Sequence, residues 1–173
     1  MDNWLCRPET PEDIPAVRQI NLAAFDTSGE ADLVDALRQD PSAWLPGLSY
    51  VAVPAGSGAA AAPVAHALLT RCHIAAEPAV ALAPCAVLPE HHKQGAGSAV
   101  IRALLDAARE AGERTVVVVG HPPYYPRFGF ERASRFAIVP PQEWPDEAFM
   151  ALSLDGSTPP PGLVRYAEAF GIA

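Results

Sequence analysis

The sequence predicts a single α/β domain, residues 1–173, with a mixed sheet flanked by helices. Three observations carry that prediction. Residues 114–119, RTVVVV, form a continuous β-branched run, which suits a central strand buried on both faces. The stretch before it, AVIRALLDAARE, has helical periodicity: Val100, Leu104, Ala107 and Ala111 face inward, and Arg102, Asp106, Arg109 and Glu113 form a solvated face. Ahead of that helix, the strand-like LAPCAV feeds a turn rich in glycine, Gly95-Ala96-Gly97-Ser98.

The remaining elements follow in order. Residues 3–7 read as a first strand. Thr10-Pro11-Glu12-Asp13 starts a helix: Thr as N-cap, Pro at the first helical position, acids in the first turn. Ile14, Val17, Ile20 or Asn21, Ala24 and Phe25 keep helical spacing, so this helix runs to about residue 25. GEADLVDALRQD forms a second helix with Leu33, Val34 and Leu37 on its face, ended by Pro41. LSYVAV, residues 48–53, is rich in β-formers. PAGSGAAAAP, residues 54–63, is a Gly/Ala hairpin loop, and VAHALLTRCHI returns as a strand. Residues 79–87 make the next strand. PPYYPRFGF reads as a short helical turn before Gly129, RFAIVP and AFMALSL as a closing antiparallel pair, and GLVRYAEAFGIA as a last short helix.

Composition narrows the function. The chain has 173 residues, half of them hydrophobic and 18% charged, which is the balance of a globular protein with a sizeable core. Twelve basic against twenty acidic residues leave a net charge of -8, which argues against a nucleic-acid partner and favours a cationic substrate such as an amine. Cys6, Cys72 and Cys85 are an odd count with irregular spacing; neither a disulfide framework nor a metal site is expected. The acidic start is no signal peptide, and no run of about 18 apolar residues suggests a membrane span, so the sequence reads as cytoplasmic.

A strand that feeds a glycine turn at a helix N-terminus makes an anion site, because unpaired N–H groups converge there with the positive end of the helix dipole. Glycine keeps Cβ atoms from holding a phosphate away. Two phosphate loops fail on spacing. The dinucleotide fingerprint needs a glycine where Val100 stands, and the nucleotide P-loop needs Lys-Ser/Thr where Ser98-Ala99 stand.

His92-Lys93-Gln94-Gly95-Ala96-Gly97 instead resembles the pyrophosphate loop of the GNAT superfamily of acyl-CoA N-acyltransferases, Gln/Arg-x-x-Gly-x-Gly/Ala, with His92 in place of the usual Gln or Arg. LAPCAV before it and YYPRFGF after it strengthen the resemblance, which covers most of the chain and is weakest after about residue 140. FDTSGEADLVDALR, LAPCAVLPEHHKQGAG and YYPRFGF look most like an uncharacterised bacterial acetyltransferase-like group. The resemblance implies a mostly antiparallel mixed sheet and transfer of an acetyl group from acetyl-CoA to a primary amine, directly, in a ternary complex. It implies that His92, Lys93, Gln94, Gly95, Ala96, Gly97 and Ser98 surround the CoA phosphates. It implies that Cys85, Ala86 and Val87 lie on a splayed strand that holds the pantetheine arm, with a backbone N–H of Ala86 or Val87 polarising the thioester carbonyl. Pro84, which cannot donate a ladder hydrogen bond, supports a bulge or edge there.

In the same family a Tyr four residues before the Gly of a Gly-Phe pair often protonates the leaving thiolate. Tyr125 has that spacing to Gly129-Phe130; Tyr124 is its reserve. A covalent acyl-Cys85 route is the weaker reading, since no His is placed by sequence to activate the thiol and Cys is often a small buried hydrophobe. Glu30, His73 and Glu77 are candidates for a base that deprotonates the amine, with Glu30 preferred because it opens the second helix near the family's acceptor pocket. Lys93, Arg127 and Arg102 are cations available to phosphate, Arg102 the least favoured. The rival functions are a non-catalytic acyl-CoA-binding sensor or interaction module, a domain with a decayed site, and, more distantly, a dinucleotide oxidoreductase. A homodimer is compatible with the sequence, and the acceptor amine is open.

Overall fold

The computed structural model describes residues 3–58 and 60–172, so Met1, Asp2, Ala173 and Ala59 of the hairpin loop lie outside the described residues. Its elements are β1 (Trp4–Pro8), α1 (Ile14–Ala24), α2 (Gly29–Arg38), β2 (Trp44–Pro54), β3 (Ala65–Ile74), β4 (Glu77–Val87), α3 (Ala96–Glu110), β5 (Thr115–Val119), β6 (Glu131–Arg132), β7 (Ile138–Val139), β8 (Phe149–Ser153) and β9 (Gly162–Arg165). The sheet runs β1-β2-β3-β4-β5-β8-β6, and β9 pairs with the end of β3 and with β7. Among the described residues only β4–β5 and β7–β9 are parallel, so the fold is α/β with a mixed, mostly antiparallel sheet flanked by helices.

Side chains on a strand alternate between faces, and the core divides accordingly. Leu69, Val80, Val116 and Val118 meet α3 on one face. Val51 and Leu68 meet Val17 of α1 and Val34 and Leu37 of α2 on the other. Val100, Ile101, Leu104 and Leu105 of α3 are buried, each contributing roughly 1.5–3 kcal/mol. The first helix starts where Thr10-Pro11 predicts, as a 3₁₀ turn over Pro11–Asp13 that passes into α1. The Thr10 N–H donates to Asp13 Oδ2 at 2.7 Å, and Arg7 pairs with the same carboxylate at 2.6 Å.

Several expectations are corrected. The buried face of α3 is Ala96, Val100, Ile101, Leu104, Leu105 and Ala108, whereas Ala111 is exposed and Ala107 half-buried. Glu113 is no solvated residue. Gly112 takes φ +87° after the helix, the Glu113 N–H reaches back to Ala108 O at 3.0 Å, and the Gly112 N–H to Arg109 O at 3.1 Å. This Schellman turn swings the Glu113 carboxylate onto Arg71 of β3, 2.8 and 2.7 Å away. On α2, Ala31 joins Val34 and Leu37 in the core, Leu33 is half-buried, and the helix stops at Arg38, before Pro41.

RFAIVP and AFMALSL do not pair with each other. β8 inserts between β5 and β6, while β7 lies along β9. The tail forms β9 and a 3₁₀ turn, Glu168–Phe170, not an α-helix. Among the described residues no helix is long and apolar enough to cross a membrane.

Candidate functional site

The site begins where β4 and β5 part. They pair at Val80–Val116 and Ala81–Val117 only, and β4 then continues to Val87. β3 covers its other edge, with a register shift between Ala67 and Leu69 that faces the Pro84 segment. The edge of β4 turned toward β5 is therefore open from Leu82 onward, which leaves main-chain donors and acceptors for something other than a strand.

Past Val87 the chain turns through a 3₁₀ segment, Pro89–His91, into the glycine loop. Lys93 and Gly95 take left-handed conformations, φ +61° and +86°, and Gly95 caps α3. The first helical turn leaves backbone N–H groups without intrahelical partners, and these face the same cleft as the open β4 edge. A Cβ on Gly97 would stand 3.2 Å from Val87 Cγ2 and 3.6 Å from the Tyr124 hydroxyl, so glycine lets the helix start close against β4. The Trp4 indole N–H donates to Gln94 O at 2.9 Å, tying β1 to the loop.

His92, the unusual residue of the motif, has its Nε2 3.0 Å from Val87 O. It clasps the loop to β4 and occupies that carbonyl. Ser98 does not cap α3; its hydroxyl lies 2.9 Å from the Tyr124 hydroxyl. Arg127 stacks over the Tyr124 ring at 4.3 Å and donates to Tyr124 O at 2.8 Å.

A cleft of about 910 Å³ brings these residues together. Cys85, Ala86, Val87, His92, Lys93, Gly95, Ala96, Gly97, Ser98 and Tyr125 all line it, as do Tyr124 and Arg127. Gln94 lines a neighbouring cavity instead. Glu30 stands outside the lining, in the first turn of α2, half-buried, with its Oε2 enclosed and lacking a hydrogen-bond partner. His73 lies at the far end of β3 in a separate cavity with Arg165, Glu77 is exposed at the start of β4, and Arg102 stacks over Phe128 at 4.8 Å.

The Tyr125 ring seats against Gly120 at the end of β5, where any Cβ would overlap it. It also packs edge-on to Tyr124 and Phe130, 5.1 and 5.8 Å between centroids. Its hydroxyl lies beside the Cys85 thiol. Burial pushes the Tyr125 phenol well above the usual tyrosine range, with Cys85 and Tyr124 adding to it. Burial likewise pushes the Cys85 thiol up to about 12. The residue as a whole is part-exposed on the cleft wall. Both shifts favour the protonated forms at neutral pH, a phenol at Tyr125 and a thiol rather than a thiolate at Cys85.

Sequence reasoning missed Gly120, His121 and His66 of the lining. His66 is fully buried on β3, opposite Ala86, and burial pushes its pKa down to about 3, with Arg38 adding to the effect. Its only sequence signal is a lone polar residue in the apolar strand VAHALL.

Comparison with known proteins gives a consistent set. A profile of the Acetyltransferase (GNAT) family matches residues 14–130. The chain is 42% identical over 123 residues to the uncharacterized N-acetyltransferase YjhQ of Escherichia coli K12, a match that covers 69% of this chain and spans 65% of that relative's length. It is 30% identical over 172 residues to the uncharacterized N-acetyltransferase YhbS of the same organism, covering 96% of this chain and 98% of YhbS. The crystal structure of E. coli YhbS in complex with CoA superposes with a TM-score of 0.83 at 29% identity, over 98% of this chain and 92% of that one. A GNAT family acetyltransferase from Brucella melitensis in complex with acetyl-CoA gives 0.76 at 30% identity, over 96% and 97%.

Proposed function

Because the chain belongs to the Acetyltransferase (GNAT) family, we propose that it transfers an acetyl group from acetyl-CoA to a primary amine, directly, in a ternary complex. One observation carries the reading: a single cleft joins the N-terminus of α3, the open edge of β4 and the Tyr125 phenol. A pyrophosphate at the first turn of α3 meets main-chain N–H groups and the helix dipole, with Lys93 and Arg127 as nearby cations. The pantetheine arm lies along β4 as an added strand would, which brings its thioester toward Ala86, Val87 and Tyr125. CoA complexes of the two similar structures support this donor.

The chemistry follows. The amine lone pair bonds to the thioester carbonyl carbon, and the carbonyl π electrons move to oxygen, where the N–H of Ala86 or Val87 stabilises the charge. Collapse breaks the C–S bond. The thiolate takes the Tyr125 hydroxyl proton as the C–S bond breaks, the nitrogen gives up its extra proton to a base, and the phenolate, which burial disfavours, regains a proton from solvent in the cleft. Glu30, off the lining, would reach the amine only through intervening water. The reaction is proposed to take place in the cytoplasm. Val139 and Leu163, paired side by side and half-exposed on β7 and β9, are where a homodimer would bury surface.

The alternative, acyl-CoA binding without turnover, is favoured by one fact: among the described residues neither Asp nor Glu lines the cleft. Thiol release from acetyl-CoA over a panel of primary amines separates the two. Turnover that falls more than about tenfold in Tyr125→Phe, with acetyl-CoA affinity kept, supports the transferase. Binding without acetylated product from any amine supports the sensor.

A further inference from the structure

His66 belongs to a hydrogen-bonded chain that runs out of the cleft wall. Asn21 of α1 places its Nδ2 3.0 Å from Val17 O and 3.2 Å from His66 Nδ1. A carbonyl accepts only, so Val17 fixes the amide nitrogen on this side, and His66 Nδ1 must be the accepting nitrogen. Nε2 then carries the ring proton and donates to Ser49 Oγ at 3.0 Å. The Ser49 hydroxyl donates in turn to Glu9 Oε1. Every link has one donor and one acceptor, and all point the same way, toward a carboxylate.

The two ends of the chain face different spaces. His66 lines the cleft, together with Ala24 and Phe25 of the α1 end. Ser49 and Glu9 line a second cavity of about 280 Å³ on the other side. Asn21, one helical turn before Ala24 and Phe25, covers Nδ1 at the cleft end. It is fully buried, and its Oδ1 has no hydrogen-bond partner. A buried carbonyl without a donor is costly and suits a site that receives an N–H group. The charged groups against the chain are Glu9, from the segment after β1, and Arg38 of α2, which pairs with Glu9. α1 and β4 contribute Asn21 and Ala86, which carry no charge.

We propose that His66, Ser49 and Glu9 form a proton relay that takes the proton of the acceptor amine during acetyl transfer. The inference rests on the acetyl-transfer reading above. Asn21, enclosed in the wall, turns to uncover Nδ1 and carries its Oδ1 into the inner end of the cleft, where the amine seats with an N–H toward it. As nitrogen bonds to the thioester carbonyl, its N–H bond breaks and the proton bonds to His66 Nδ1. The Nε2 proton passes to Ser49 Oγ while the Ser49 hydroxyl proton passes to Glu9, which becomes the carboxylic acid. Nitrogen keeps the electron pair, and no imidazolium has to persist inside the wall. When product leaves, the three shifts reverse and the proton departs through the cleft, which restores the Nε2–H tautomer.

The test uses Ser49→Ala, which cuts the relay but leaves the Glu9–Arg38 pair, and Ser49→Thr, which keeps the hydroxyl. In rapid-quench single turnovers with acetyl-CoA and an amine that the wild type acetylates, Ser49→Ala is expected to slow transfer by about tenfold or more. Acetyl-CoA affinity stays the same and Ser49→Thr retains the rate. In mixtures of light and heavy water the wild-type rate curves with isotope fraction, as several protons in flight require, and the Ser49→Ala rate is linear. An unchanged Ser49→Ala rate, or a linear wild-type plot, overturns the relay while leaving acetyl transfer standing. Absence of acetylated product from the wild type on every amine overturns the transferase and the relay with it. Nitrogen NMR of His66 reads the chain without any turnover: the Nε2–H tautomer is expected, and an Nδ1–H tautomer overturns the relay by itself.

Discussion

Mild acid is expected to cost this protein stability well above the range in which carboxylates titrate, and His66 is the reason. Its ring is fully buried with both nitrogens engaged, and its pKa falls from 6.5 to about 3, mainly through burial and further through Arg38. The folded protein thus refuses a proton that the unfolded chain accepts. Below about pH 6.5 the unfolded state binds more protons, so stability falls as pH falls, until the folded group also titrates near pH 3. The whole effect is about 5 kcal/mol, and about 2 kcal/mol of it is lost by about pH 5. Carboxylates act lower down. Asp13, whose pKa is lowered chiefly by its bond to Arg7, loses its contribution only below the ordinary value of 3.8. The interval between about pH 6.5 and 5 therefore isolates the histidine. Urea unfolding of the wild type at about pH 7 and about pH 5 should show the 2 kcal/mol loss. His66→Gln, less stable at neutral pH, should show little further loss. A wild-type midpoint that does not move, or an equal loss in the variant, would refute the reasoning.

Two further predictions follow from packing. Gly120→Ala puts a methyl group into the Tyr125 ring. Displacing the phenol should lower turnover by more than about tenfold while cooperative unfolding is kept, measured by thiol release beside a thermal melt. Arg71→Met leaves the Glu113 carboxylate without its bidentate partner in a place where both side chains are mostly covered. A loss of about 1–3 kcal/mol is expected, read as a lower Tm, and a melt identical to wild type would show the pair to be a surface contact only.

How much of this was legible depends on where each residue's partners lie. The helix start at Thr10-Pro11, the strand in RTVVVV and the glycine turn at Gly95 are set by neighbours in sequence and stand where the sequence places them, although the strand is buried only from Thr115 to Val118, with Arg114 outside it and Val119 exposed. The strand residues Cys85–Val87 and the turn residues Gly95–Ser98 share one cleft because strand, turn and helix are contiguous, and Tyr125 joins them from the turn after β5. Glu113 was misread because one left-handed residue, Gly112, reverses the chain and sends the carboxylate to Arg71, 42 positions away. His66 gave little sign because its partners, Asn21 and Ser49, are 45 and 17 residues distant and belong to other elements. Gly120 was invisible for a similar reason: the demand for glycine comes from the Tyr125 ring folding back on it. The tail failed as a helix because β9 is four residues long, with one buried side chain, Val164, and is held by the end of β3 and by β7.

The most direct measurement is a calorimetric titration of acetyl-CoA into the purified wild type and into Gly97→Leu, whose side chain would fill the approach between α3 and Val87. Saturable binding by the wild type, lost in a variant that keeps its far-ultraviolet spectrum, is the predicted result. Absence of heat from the wild type at millimolar acetyl-CoA, or equal binding by the variant, would contradict the assignment of this cleft to the acyl donor.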